Sequence, residues 1–124
     1  TSYRLTEHEH YITQQVEQLV QLQPEAFVEV PAELAREKGI AHGDRVRVSS
    51  RRGKLEVRAV VTGRLGPLQI DGKKVYQIGI PIHWGFVGIN TGQHWLANAL
   101  TPFVGDASAR TPEFKAFLVN IEKL

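Results

Sequence analysis

Apolar and polar residues alternate with a period of two in consecutive stretches of this chain. Val46 and Val48 are flanked by Arg45 and Arg47, and Leu55, Val57 and Ala59 are separated by Glu56 and Arg58. That period predicts an antiparallel pair of half-buried strands within Ile40–Val61. Ser50-Arg51-Arg52-Gly53 lies between the arms and supplies the reversal, with Gly53 expected at the positive φ of a turn ending in a bulge. A hairpin with one apolar face is not stable by itself, so further strands must cover it.

The remaining pattern supplies those strands. Ala26–Val30 reads as a short strand and Pro31–Lys38 as a helix, with Pro31 at its first position, Glu33 in the first turn, and Arg36 and Lys38 in the last. Gly39 then takes the left-handed conformation, letting Ile40 fold back on Leu34 or Ala35, and His42-Gly43-Asp44 turns into the hairpin. Gln14–Gln23 carries a weaker helical face of Val16, Leu19, Val20 and Leu22, ended by Pro24. Tyr3–Thr13 is too polar for a core strand, because Thr6, Glu7, His8, Glu9 and His10 run unbroken between Leu5 and Tyr11. A strand edge or a loop lining a polar cavity fits it better.

After the break at Gly63–Pro67, Leu68-Gln69-Ile70 leads to Asp71-Gly72, a two-residue reversal of type I′, and Val75–Ile82 gives another strand. Phe114–Ile121 closes the chain. Phe114, Ala116, Leu118 and Asn120 fall on one side of it and Phe117, Val119 and Ile121 on the other, which places it in the middle of a closed sheet. From His83 to Pro112 no period survives. Six glycines and prolines (Gly85, Gly88, Gly92, Pro102, Gly105 and Pro112) alternate there with Trp84, Phe86, Trp95 and Phe103. A loop of about thirty residues in a compact domain is functional or disordered, and the aromatics argue against disorder. Six or seven short strands with one or two short helices make a mainly β fold, a small β-barrel with its binding groups at one rim.

A chain of 124 residues with 42% apolar and 23% charged residues is one globular domain, 1–124. It has no apolar run of membrane-spanning length and no basic-then-apolar N-terminus. Zero Cys excludes disulfides, thiolate metal sites and a cysteine nucleophile. Zero Met and a start at Thr1-Ser2-Tyr3 suggest a domain excised from something larger, the milder alternative being a complete protein with a tag removed. The net charge of +2 is unevenly spread. Residues 40–75 hold nine cations (Arg45, Arg47, Arg51, Arg52, Lys54, Arg58, Arg64, Lys73, Lys74) against three acids (Asp44, Glu56, Asp71). Such a face suits phosphate, nucleic acid or an acidic neighbouring domain; it equally suits a solvated strand face.

Little in this inventory is catalytic. Neither a Gly-x-Ser-x-Gly elbow nor a Walker-type loop is present, and Asp44, Asp71 and Asp106 sit beside glycines, where turns place them. His8 and His10 alternate and can share a strand face, to hold a metal with His83 or His94, to donate to a polar ligand, or as structural groups. No Cys and no fixed second-half motif supports the metal. Asn98 offers a donor and acceptors suited to the edge of a heterocycle, and Lys115 is a cation for a phosphate or ring carbonyl; alternatively Asn98 caps a turn and Lys115 is solvated.

Five motifs carry a resemblance: Tyr3-Arg-Leu-Thr-Glu-His-Glu-His-Tyr11, Gly43-Asp-Arg-Val-Arg-Val-Ser-Ser-Arg-Arg-Gly53, Ile80-Pro-Ile-His-Trp-Gly85, Asn98-Ala-Leu-Thr101 and Thr111-Pro-Glu-Phe-Lys115. Together and in this order they resemble the C-terminal molybdopterin-dinucleotide-binding domain of the dimethyl-sulfoxide-reductase family, in particular that of the catalytic (alpha) subunits of membrane-associated formate dehydrogenases. The resemblance covers almost the whole chain, although Gly-Asp-x-Val-x-Val alone would be weak.

It implies a six-stranded double-psi β-barrel, packed on the other domains of a molybdenum or tungsten enzyme, that helps to hold two pyranopterin guanine dinucleotides (bis-MGD). The metal's protein ligand and the iron–sulfur cluster lie in earlier domains, so this chain holds no catalytic residue and no metal ligand. By position, Thr6, Glu7, His8 and His10 correspond to the segment approaching a pterin and its pyrophosphate. His83, Trp84 and Asn98 correspond to pterin or dinucleotide contacts, and Phe114 and Lys115 to the final contact. The implied partners are the other domains of the parent subunit and an iron–sulfur subunit. The implied setting is a bacterial membrane-associated complex, periplasmic or cytoplasmic, in anaerobic respiration, with no nucleic acid and no direct membrane insertion.

A rival resemblance is carried by Val28–Val48, which looks like the strand-helix-strand unit of swapped-hairpin DNA-binding factors, with the basic face meeting phosphates. Those domains are far shorter and leave residues 62–124 unexplained. A decarboxylase-like small barrel enzyme would need a self-processing Gly-Ser site, which is missing.

Overall fold

The computed structural model describes residues 12–81, 84, 95–112 and 117–124. Among the described residues there are six strands: β1 Phe27–Pro31, β2 Arg45–Ser49, β3 Lys54–Thr62, β4 Pro67–Ile70, β5 Lys73–Tyr76 and β6 Asn120–Lys123. Two short helices accompany them, α1 Glu17–Leu22 and α2 Ala32–Lys38, with 3₁₀ turns at Thr13–Gln15 and Ala97–Ala99. The architecture is mainly β. Among the described residues the strands make a four-stranded mixed sheet, in the order β1-β3-β2-β6, and a two-stranded ribbon of β4 and β5.

The alternating stretches form the antiparallel β2–β3 hairpin. Its register sets Val46 opposite Val57 and Val48 opposite Leu55, so that the whole apolar set falls on one buried face. On the other face Arg47 stands opposite Glu56 on β3 and Glu122 on β6, and donates to both, at 2.8 Å from Nη2 and 3.1 Å from Nη1 respectively. The paired carboxylates push the guanidinium's pKa further up, and Arg47 in turn holds Glu56 below the usual carboxylate range.

β1 pairs in parallel with β3, Val28 opposite Ala59 and Val30 opposite Val61. All five of its residues are buried, as a strand covered on both faces must be. Its other edge exchanges two hydrogen bonds with Gly79, from Glu29 N at 2.8 Å and to Glu29 O at 3.1 Å. The nearly buried Glu29 carboxylate is matched by Arg64, whose Nη2 donates to both oxygens at 2.6 and 2.7 Å.

α2 links β1 to β2. Pro31 is the last residue of β1 and the N-cap of α2, one position earlier than its expected place inside the helix. At the other end Gly39 adopts φ +64°, Ile40 N donates to Ala35 O at 2.8 Å and Gly39 N to Arg36 O at 3.3 Å. These are the two bonds of a Schellman cap, with Ile40 and Ala35 buried in the same cluster. Asp71 and Gly72 both have positive φ, 49° and 72°, as the predicted type I′ turn between β4 and β5 requires. The ribbon is tied back to α2 by Lys74 on Glu33 and by Tyr76 Oη donating to Glu37 at 2.5 Å.

Three expectations are corrected. The strand expected over Val75–Ile82 is instead Lys73–Tyr76, followed by the isolated bridge at Gly79; Ile82 lies outside the described residues. Of the stretch expected as the closing strand, Phe114–Ala116 lie outside the described residues, and among the described ones only Asn120–Lys123 is strand, paired with β2 at the edge of the described sheet. Ile121 is its one buried residue, and Leu118, 87% exposed, precedes it in irregular chain. Phe117 and Val119 pack against the core from the chain leading into the strand. Gly53 is absent from the positive-φ glycines, so the hairpin reversal does not need it for the reason given above.

No clash opposes a methyl group at Gly39, so Gly39→Ala isolates the cost of the left-handed backbone. It is expected to destabilise the fold by about 1 kcal/mol in urea unfolding. An unchanged midpoint would mean that the cap contributes nothing.

Candidate functional site

The segment Trp95–Thr101 is built on two anchors in the sheet. Trp95 Nε1 donates to Glu56 O of β3 at 3.1 Å, and its ring meets that of Trp84 edge to face, centroids 5.8 Å apart at 85°. Trp95 N also donates to Trp84 O at 3.2 Å. The 3₁₀ turn that follows is closed by Leu100 N donating to Ala97 O at 3.0 Å, and by the amide and hydroxyl of Thr101 donating to Asn98 O at 3.3 and 3.0 Å. Ala97 and Leu100, three apart, are buried, which turns Asn98 outward to solvent. The Asn98 carbonyl thus serves the turn, while its side-chain amide makes no hydrogen bond to the described residues.

The second anchor is the tip of the β2–β3 hairpin. Ser50 Oγ donates to Leu100 O at 2.7 Å while accepting from Arg52 N at 3.0 Å and Gly53 N at 3.4 Å. A Cβ at Gly53 would lie 2.7 Å from Ala99 O. Glycine is needed there because the backbone of the Asn98 turn passes too close for any side chain.

The same tip carries Arg51 and Arg52, both exposed and forming no ion pair among the described residues. Most of the other cations in 40–75 are already engaged. Arg45 and Arg58 meet Glu25, Arg47 meets Glu56 and Glu122, Arg64 meets Glu29, and Lys74 meets Glu33. Five of the nine cations are thus paired within the fold; of the other four, Arg51, Arg52 and Lys54 lie at or next to the hairpin tip and Lys73 lies on β5. Beyond the turn, Asp106 folds its own loop, its Oδ1 accepting from Ser108 N at 2.9 Å and Ala109 N at 2.7 Å. Those two amides hold its carboxyl below the usual aspartate range. Phe103 stands 73% exposed on the same segment.

Of the predicted contacts, Trp84 and Asn98 are brought into one connected unit through Trp95. Trp84 is a core residue at 1% exposure and Asn98 is open to solvent. Thr6, Glu7, His8, His10, His83, Phe114 and Lys115 lie outside the described residues. Ser50, Gly53 and Trp95 were not identified as parts of the site from the sequence. Nothing local marks them, since the Ser50–Leu100 bond spans 50 positions of chain.

Among the described residues, the Asn98 side-chain amide makes no hydrogen bond and Arg51 and Arg52 make no ion pair, and all three are exposed on segments that touch through Ser50 and Gly53, an arrangement suited to a polar, anionic ligand. The chain matches the family described as "Molydopterin dinucleotide binding domain" over residues 1–118, and it belongs to that molybdopterin dinucleotide-binding family. It is 55% identical over 124 residues to the formate dehydrogenase-O major subunit of Escherichia coli K12, covering 100% of this chain and 12% of that one. It is 56% identical over 123 residues to the nitrate-inducible formate dehydrogenase major subunit of the same organism, covering 99% and 12%. The chain thus spans about an eighth of the length of these relatives, 12% in both. Acetylene hydratase from Pelobacter acetylenicus shares the fold, with a TM-score of 0.76 at 18% identity over 99% of this chain and 18% of that one. Nothing in the structure or these relatives supports the DNA-binding reading.

The Asp106 carboxyl is lowered in the folded state. Its contribution to the loop is therefore complete above the ordinary aspartate range and is lost as pH falls through the lowered value. Hydrogen exchange at the Ser108 and Ala109 amides should accelerate in that acid window, and Asp106→Ala should show the fast rate already at neutral pH. Protection that survives Asp106→Ala would mean that the loop is held by other contacts.

Proposed function

We propose that this chain is the cofactor-holding domain of a formate dehydrogenase-type molybdenum or tungsten oxidoreductase, with its strands closing into a double-psi barrel over a bis-pyranopterin guanine dinucleotide. Family membership and the end-to-end likeness to formate dehydrogenase major subunits support the class. The observation that carries the site is the outward amide of Asn98 on a turn fixed from two directions. An amide presents a donor and an acceptor side by side, matching the edge of a pterin or guanine ring. Arg51 and Arg52 offer the forked donors that a pyrophosphate takes. The donor set therefore fits the group.

When bound, the cofactor supplies redox chemistry at its metal. This chain's residues bind and orient it. Thr6, Glu7, His8 and His10 are assigned to the pterin and pyrophosphate, His83 and Trp84 to pterin or dinucleotide contacts, and Phe114 and Lys115 to the final contact. On this reading the domain, residues 1–124, packs on the other domains of a parent catalytic subunit, within a bacterial complex that includes an iron–sulfur subunit.

In the full enzyme, Asn98→Ala or Lys115→Ala should lower metal and nucleotide content while leaving thermal unfolding nearly unchanged. Full metal content with normal activity would refute the assignment. The 124-residue chain alone should not oxidise formate, which a dye-reduction assay on purified material tests directly.

A further inference from the structure

We infer that Ser50 and Gly53 are positioning residues for Asn98, so that the tip of the β2–β3 hairpin sets where the ligand-facing amide stands. The inference rests on the reading of Asn98 as a cofactor contact. A three-residue 3₁₀ turn has poor hydrogen-bond geometry and little stability of its own. Its position must come from what it leans on. On one side that support is Trp95, hung from Glu56 O; on the other it is the hairpin tip.

The contact at the tip is unusually demanding. Besides lying 2.7 Å from Ala99 O, a Cβ at Gly53 would lie 3.5 Å from Ala99 C and 3.7 Å from Ala99 Cβ. The opposing atoms nearest to it are backbone, with no flexible side chain to swing aside, so an added methyl must push the turn itself. Gly53 does not have a positive φ, so the methyl brings no left-handed strain and its effect falls on the neighbouring turn.

Ser50 acts on the adjacent residue. Its one hydroxyl proton goes to Leu100 O, and its lone pairs accept from the amides of Arg52 and Gly53, so a single oxygen ties the tip's shape to the turn's location. Hydrogen bonds weaken steeply with a few tenths of an ångström or with poor angles. Displacing the turn that carries Asn98 therefore removes ligand contacts without altering the Asn98 side chain.

The test uses the full-length enzyme that contains this domain, with metal and nucleotide per polypeptide measured under limiting cofactor supply and thermal unfolding measured alongside. Asn98→Ala, Gly53→Ala and Ser50→Ala should each lower occupancy about tenfold, the equivalent of about 1.4 kcal/mol. Ser50→Thr, which keeps the hydroxyl, should restore it. Adding Gly53→Ala to Asn98→Ala should cost at most about twofold more, because both act through one amide.

Gly39→Ala is the structural control, a strained glycine with nothing within 4 Å of its added methyl. It should lower stability and spare occupancy. If Gly53→Ala keeps its cofactor, or loses no more than Gly39→Ala at equal loss of stability, the positioning role is overturned while the Asn98 contact stands. If Asn98→Ala itself keeps its cofactor, the contact fails and the positioning role fails with it.

Discussion

β3 must serve two neighbours of opposite direction, and the rest of the structure follows from that constraint. It accepts β1 in parallel along Arg58–Thr62 and β2 antiparallel along Lys54–Arg58, so its nine residues carry both ladders. Leu55, Val57 and Ala59 must all point inward for either pairing to bury the core, and a slip of one residue would turn all three to solvent. The turn before β2 is locked to the same strand, Gly43 N donating to Ala59 O at 2.8 Å and Ala59 N to Asp44 O at 2.9 Å. Asp44 is held in turn by Lys123 on β6 and by Ala41 N, which keep its carboxyl low. Start, register and edge of the sheet are thereby coupled.

The same strand fixes the candidate site. Trp95 hangs from Glu56 O, and Glu56 is the residue whose side chain is gripped by Arg47 on the opposite side of the ladder. One position of β3 therefore links the charged outer face to the aromatic segment. Trp84 and Trp95 extend the apolar core out to the 3₁₀ turn, and burial of Ala97 and Leu100 completes it. Asn98 is exposed because its neighbours on either side of the turn are embedded.

What was legible in the sequence divides by range. The hairpin, the Gly39 cap and the Asp71-Gly72 reversal each depend on residues a few positions apart, and periodicity and turn chemistry reveal such features. The parallel partnership of β1 and β3 joins Phe27 to Arg58 across α2 and β2, and no local pattern announces it. Gly53 is the sharpest case. A glycine after Arg-Arg suggests a backbone requirement of its own turn, whereas it answers a carbonyl 46 residues away, at Ala99. The site divides in the same way: Asn98 was visible as a polar group in an aromatic loop, and its supports were not, because they belong to another element.

Charge is distributed on the same logic. An excess of cations in 40–75 looks from the sequence like a binding face, yet carboxylates from Glu25, Glu29, Glu33, Glu56 and Glu122 meet most of them. Apart from Arg64 on the nearly buried Glu29, these pairs are largely exposed and contribute little to stability individually. Their consequence is selective: Arg47, Arg58, Arg64 and Lys74 are occupied within the fold, whereas Arg51 and Arg52 project from the tip that also buttresses the Asn98 turn. Arg51 and Arg52, which make no ion pair among the described residues, are the exposed guanidiniums of that tip. The internal pairing thus converts a diffuse basic surface into a local one, placed where the geometry of the turn is most tightly held.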